Sequence, residues 1–203
     1  MRWLATIFLI GGLTACSFGP AARETPTIYD LGAPRPVSAG VTSIHASVLM
    51  HNIEAPFWLD TSAIIYRMNG EAGRQQTYSS SRWAASPAAL LTQLLRDRLA
   101  RASSGGVVSA ADGVRADYIL RVELEDFSQV FDRADSSHGV VVARASLIDA
   151  AHRTLLTQKD FTFEQAADTQ DASGGVRALT EASDNLLDAV VAWAASKINA
   201  GGQ

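Results

Sequence analysis

Tyr118-Ile119-Leu120-Arg121-Val122-Glu123-Leu124-Glu125-Asp126-Phe127-Ser128-Gln129-Val130-Phe131 is the stretch that decides the fold. Leu120, Val122 and Leu124 fall on one side of an extended chain, and Arg121, Glu123 and Glu125 on the other. Side chains alternate across a strand, so this pattern marks an antiparallel strand with one face buried and one wet. Two more strands, at 140–148 and 155–163, follow it around Asp149-Ala150-Ala151-His152-Arg153, and the three form a meander. Upstream, residues 64–68 and 75–79 flank Asn69-Gly70-Glu71-Ala72-Gly73, where Asn-Gly supplies the positive φ angles of a hairpin turn. Before that, Ile44, Ala46, Val48 and Met50 share one face of a strand that begins at Val41, and Pro56 breaks the run.

Two helices complete the pattern. Ser86-Pro87 opens the first, serine as N-cap and proline at the first helical position, where a missing N–H costs nothing. Leu91, Leu94, Leu95 and Leu99 then recur at helical spacing, with Arg96, Asp97 and Arg101 turned away, until Ser103-Ser104-Gly105-Gly106 ends the run. The second spans 174 to about 198, turns Leu179, Leu186, Leu187, Val190, Trp193 and Ile198 inward, and stops at Gly201-Gly202. The expected fold is α+β: a single domain over 41–200, with an antiparallel or mixed sheet and two amphipathic helices on one face.

The 203 residues are 47% hydrophobic and 19% charged, with a formal charge of −4. That length suits one domain with a real core, and the acidic balance lacks the basic excess that a nucleic-acid binder needs. No apolar run reaches the roughly 18 residues of a spanning helix. Cys16 is the single cysteine, which excludes an internal disulfide and any cysteine-rich metal site.

That cysteine sits where the amino terminus gives it meaning. Arg2 supplies a positive start, and Trp3 through Leu13 form an apolar stretch of secretory type. Leu13-Thr14-Ala15-Cys16 then has the aliphatic, small, small, cysteine order of a lipobox. The segment resembles the leaders of bacterial lipoproteins. The resemblance implies a signal peptide over 1–15, cleavage between Ala15 and Cys16, and a diacylglyceryl group with an N-acyl chain on Cys16. Two or more chains hold a protein durably on a membrane. Ser17 stands where an Asp would, in enterobacteria, retain a lipoprotein at the inner membrane, so the outer membrane facing the periplasm is expected. Pro20, Pro26, Pro34 and Pro36 make 16–40 a tether, which at roughly 3.3 Å per residue spans up to about 80 Å when drawn out. Within it, 27–31 alternates enough to form a short strand that docks on the domain or on a partner.

Pro56-Phe57-Trp58-Leu59-Asp60, Ile64-Ile65-Tyr66-Arg67 and Arg82-Trp83-Ala84, leading into the helix at Pro87, resemble the signature of the ABC-type transport auxiliary lipoproteins, the group that includes the paraquat-inducible protein C type. The resemblance runs from Tyr29 to Ile198. It implies a non-catalytic, periplasm-facing lipoprotein serving a system that moves lipid or other hydrophobic molecules between the two membranes. The implied partners are an MCE-domain protein, an ABC transporter permease and ATPase complex, or both. Gly105-Gly106 and Gly174-Gly175 lack the lysine and spacing of a phosphate-binding loop, so any ATP hydrolysis belongs to a partner. The alternative is a lipoprotein activator of a cell-wall synthase or another envelope-assembly factor, built on a similar tether and small domain.

Phe57, Trp58, Tyr66 and Trp83 are the candidate contacts for a partner or an acyl chain, weighed against a role as packing between hairpin and first helix. Asp60 and Arg82 are candidates for an ion pair. His45 and His51 lie about 20 Å apart along an extended chain at roughly 3.3 Å per residue, too far for one metal ion, and no metal site is expected. His138 stands in the polar stretch 132–139 with Ser136, Ser137, Asp132 and Asp135, a composition reminiscent of a hydrolase triad but without its strand-to-helix elbow. A solvated loop is the expected reading there, and exposed charge that for Glu125, Asp126, Asp168 and Asp171. No catalytic residues are expected. Open strand edges offer a means of self-association.

Overall fold

The alternating strand is the spine of the molecule. In the computed structural model, which describes residues 25–33, 43–71 and 73–201, it is β6 (Tyr118–Arg133). Along one edge it pairs antiparallel with β7 (Ser136–Asp149), which pairs in turn with β8 (Thr154–Ala166). Its other edge is divided. β2 (Val48–Met50) runs parallel to its first residues and β3 (Ala63–Met68) parallel to its last. β4 (Gln76–Trp83) closes the hairpin with β3, β1 (Thr27–Tyr29) adds parallel to β4, and β5 (Val107–Val108) adds parallel to β2. The result is a mixed, eight-stranded sheet. Helix α1 (Pro87–Ala102) packs on α2 (Ala172–Gly201), and α2 lies across β6, β7 and β8, so both helices share one buried layer with the sheet. The expected signal segment 1–15, Cys16 and the expected tether 16–40, apart from residues 25–33, lie outside the described residues.

A bulge between Leu124 and Asp126 keeps the spine usable along its whole length. Strict alternation beyond Leu124 would turn Asp126 toward the helices and Phe127 toward water, because a one-residue slip exchanges faces. The extra residue restores the phase: Leu120, Val122, Leu124 and Phe127 are all buried, while Asp126 pairs with Arg67 at 2.6 Å.

Several sequence expectations are corrected here. The strand expected from Val41 is regularly paired only at Val48–Met50, because Ile44 bonds instead to the end of α1, its N–H donating to the Ala102 carbonyl at 2.9 Å. The face is as expected, with Ile44, Val48 and Met50 buried. The polar stretch 132–139 is not a loop: β6 runs to Arg133 and β7 starts at Ser136. Ser86 occupies the N-cap of α1 with extended backbone, but its hydroxyl makes no capping bond, and its carbonyl accepts the Leu90 N–H at 3.0 Å. The hairpin turn is as expected, with Gly70 at φ +86°, where a side chain is strained. The strand within the tether docks on the domain, where Leu31 is buried.

Candidate functional site

The four candidate aromatics do not form one surface. Pro56 starts a tight turn, its carbonyl accepting the N–H groups of Leu59 and Asp60 at 2.9 and 3.0 Å. Leu59 is buried and anchors that turn, which leaves Phe57 92% exposed and Trp58 half-buried. An aromatic ring held in water by an anchored turn costs apolar hydration that a bound partner recovers. Trp83, by contrast, is 1% exposed and meets Phe127 edge-on at 5.5 Å. Tyr66 meets Tyr78 in a tilted contact at 4.7 Å and Phe131 edge-on at 5.8 Å, and its hydroxyl donates to Gln76 Oε1 at 3.0 Å. Tyr66 and Trp83 therefore pack the hairpin, and Phe57 is the aromatic presented outward. Asp60 and Arg82 are both exposed, and no ion pair joins them among the described residues.

A buried polar hub, unseen in the sequence pattern, ties the sheet to α2. Gln129 is fully buried on the helix-facing side of β6. Its Oε1 accepts the Tyr78 hydroxyl at 2.8 Å, and its Nε2 donates to Ser137 Oγ at 2.8 Å. Ser137 Oγ in turn donates to Gln170 Oε1 at 2.5 Å. The first turn of α2 closes over this amide at Gly175, where an added Cβ would lie 2.2 Å from Gln129 Oε1. Burial, then the neighbouring Tyr66 and Asp171, push the Tyr78 phenol up to about 12.

These contacts also dismantle the hydrolase-like arrangement. Ser137 is occupied by two amides, neither of them a base. His138, next along the strand, points to the opposite face, its Nδ1 3.1 Å from Asp132 Oδ2 and its Nε2 3.9 Å from Glu164 Oε2. The triad geometry, in which a histidine takes the serine proton, is not assembled. Asp171 is more than loop charge: its Oδ1 accepts the Gly174 N–H at 2.8 Å and caps α2, a bond that lowers its carboxyl below the usual range. Glu125 pairs with Arg144 at 3.3 Å, and Asp168 with Arg177 at 3.5 Å. His45 Nδ1 meets Ser104 Oγ at 3.0 Å. Among the described residues, no group of three His, Cys, Asp or Glu side chains is placed to hold a metal ion.

Sequence reading also missed the clamp between the helices. Arg98 stands among the leucines of α1 and is 1% exposed. Its Nη1 donates to the Asp184 carbonyl at 2.7 Å and to Asp188 Oδ1 at 2.6 Å, and its Nη2 to Asp184 Oδ1. The signal was present as an arginine three residues after Leu95 and one before Leu99, inside the apolar stripe.

The architecture is thus a mixed sheet with two helices on one face, an arginine-locked helix pair, and a turn before β3 that holds Phe57 outward. The family model for the ABC-type transport auxiliary lipoprotein component matches residues 29–191. The chain belongs to that family. No curated protein matches the chain. Among solved structures, protein XCC0632 from Xanthomonas campestris is similar with a TM-score of 0.78 at 16% identity, covering 87% of this chain and 99% of that one. The hypothetical protein CT253 from Chlamydia trachomatis is similar with a TM-score of 0.54 at 9% identity, covering 77% of this chain and 99% of that one. At such identities the likeness is one of fold. Membership makes this auxiliary lipoprotein a component associated with ABC-type transport at the cell envelope.

Proposed function

We propose that this auxiliary lipoprotein is anchored through acylated Cys16 in the outer membrane, faces the periplasm, and serves without catalysis an ABC- or MCE-type system that carries lipid or other hydrophobic molecules between the membranes. Family membership over 29–191, joined to the lipobox Leu13-Thr14-Ala15-Cys16, carries this reading. Phe57, held outward by its anchored turn, supports a contact with the transporter, since aromatic side chains supply the large buried area that interfaces rely on. β8 pairs only with β7 among the described strands, an open edge that supports self-association.

The test is crosslinking in cells from a photoreactive residue at position 57. The expected result is a covalent product with an MCE-domain protein or a transporter permease, lost when Cys16→Ser releases the chain from its anchor. Products with unrelated envelope proteins alone, or mass spectrometry showing a bare thiol at Cys16, overturn the reading.

A further inference from the structure

On the sheet face turned away from the helices, one row of side chains differs from the rest. Val108, Leu49, Ile119, Ile148 and Leu155 are direct cross-strand partners on β5, β2, β6, β7 and β8 in turn. Their strand neighbours Val48, Leu120 and Leu147 are fully buried on the opposite face, which sets these five outward. None of the five belongs to the hydrophobic core; the first four are half-buried and Leu155 is 59% exposed. At roughly 4.8 Å between strands the row is about 19 Å long. The same face farther along the strands is polar, with Arg121 paired to Glu54 at 3.3 Å and Arg144 paired to Asp160 at 2.7 Å. The apolar row is therefore a local feature of the sheet end.

At that end the row opens into a groove of about 660 Å³, lined by Leu49, Ile119, Val114, Ala150, Arg115 and Arg153. Among the described residues neither arginine makes an ion pair or a side-chain hydrogen bond, although the chain as a whole is acidic. The carboxylate of Asp117, also in the lining, is engaged by the Ser47 N–H at 2.8 Å and the Ser47 hydroxyl at 2.7 Å. Two cations beside a groove that Leu49 and Ile119 of the row also line select a ligand that is anionic at one end and apolar along its length. The row runs across the strands, whereas an added β-strand runs along them, and the groove is concave, whereas a membrane surface asks for a protrusion.

The geometry points to a binding site for a single-chain amphiphile with an anionic head group, its acyl chain laid along Val108–Leu49–Ile119–Ile148–Leu155 and its head between Arg115 and Arg153. The site deepens the transport reading and rests on it for the supply of such a molecule.

The chain from residue 16 to its end, carrying Cys16→Ser so that no anchor competes, is titrated calorimetrically with sodium myristate below its micelle concentration. Parallel arms use tetradecyltrimethylammonium, the same chain with a cationic head, and sedimented vesicles of equimolar phosphatidylcholine and phosphatidylglycerol. One myristate per chain is expected, with the cationic analogue at least about tenfold weaker and the Arg115→Gln, Arg153→Asn double variant weakened about tenfold at unchanged thermal midpoint. Ile119→Glu abolishes binding; should that variant not fold, Leu155→Glu at the exposed end of the row replaces it. Equal affinity for the two head groups, an unaffected arginine variant, or binding to vesicles but not to dispersed myristate overturns the site. A chain that crosslinks to its transporter from position 57 yet ignores myristate overturns this site alone and leaves the transport reading standing.

Discussion

Gln129 shows how much one side chain can carry when it is buried. Its amide receives from Tyr78, donates to Ser137 and touches the first turn of α2, so three elements meet on one group. Tyr78→Phe leaves Gln129 Oε1 without its donor, and a buried unsatisfied acceptor costs about 1–3 kcal/mol, which chemical denaturation measures against the parent chain. The phenol has a pH signature as well. Its folded value of about 12 lies above the ordinary 10, so the contribution to stability is complete below pH 10 and is lost as pH rises through about 12. Spectrophotometric titration is expected to show a phenol ionising as pH rises through about 12, and that step vanishes in Tyr78→Phe. None of this was legible in the sequence. Gln129 stands in a β-pattern between Ser128 and Val130, and only the bulge at Leu124/Asp126 turns it inward.

At the scale of the elements, the leucine stripe of α1 was readable because Leu91, Leu94, Leu95 and Leu99 satisfy helical periodicity by themselves, and all four are buried. Arg98 was not, because periodicity ranks residues by polarity and cannot see a partner on another helix. The guanidinium spans the gap between α1 and α2 and reaches two carboxylates and a carbonyl. Removing one member of a buried ionic cluster strands the others, so Arg98→Ala is expected to cost about 3–5 kcal/mol. Replacing the cluster by apolar residues in the triple variant Arg98→Met, Asp184→Leu, Asp188→Ala is expected to recover most of that loss in urea denaturation. If the triple variant is no more stable than Arg98→Ala, the cluster is not where the energy lies. Helix termini divide in the same way. Pro87 marks the start of α1 from sequence alone, while Asp171 is one polar residue among several before α2, and only its bond to the Gly174 N–H makes it the cap.

For the whole molecule, the division of β6 between two partners on one edge is the organising fact. β2 and β3 share that edge, so the chain between them crosses near Glu54, whose backbone still bonds across to Val122 and Leu124. The same topology leaves the outer edge of β4 for β1, and with it Tyr29 and the buried Leu31 become part of the domain. A chain beginning at Ser43 is therefore expected to be less stable than one beginning at Thr25. Burying a leucine contributes about 1.5–3 kcal/mol, which for a domain of this size lowers the thermal midpoint by roughly 3–12 °C in calorimetry. An unchanged midpoint would make β1 an ornament of the edge. Sequence alone determined the class of fold, the meander and the hairpin turn, because alternation, helical spacing and turn chemistry are properties of neighbouring residues. The split edge, the Gln129 hub, the Arg98 clamp and the apolar row opposite the helices were decided by tertiary structure. Each joins residues distant in the chain whose meeting depends on strand register, and register is a property of paired strands that no single strand contains.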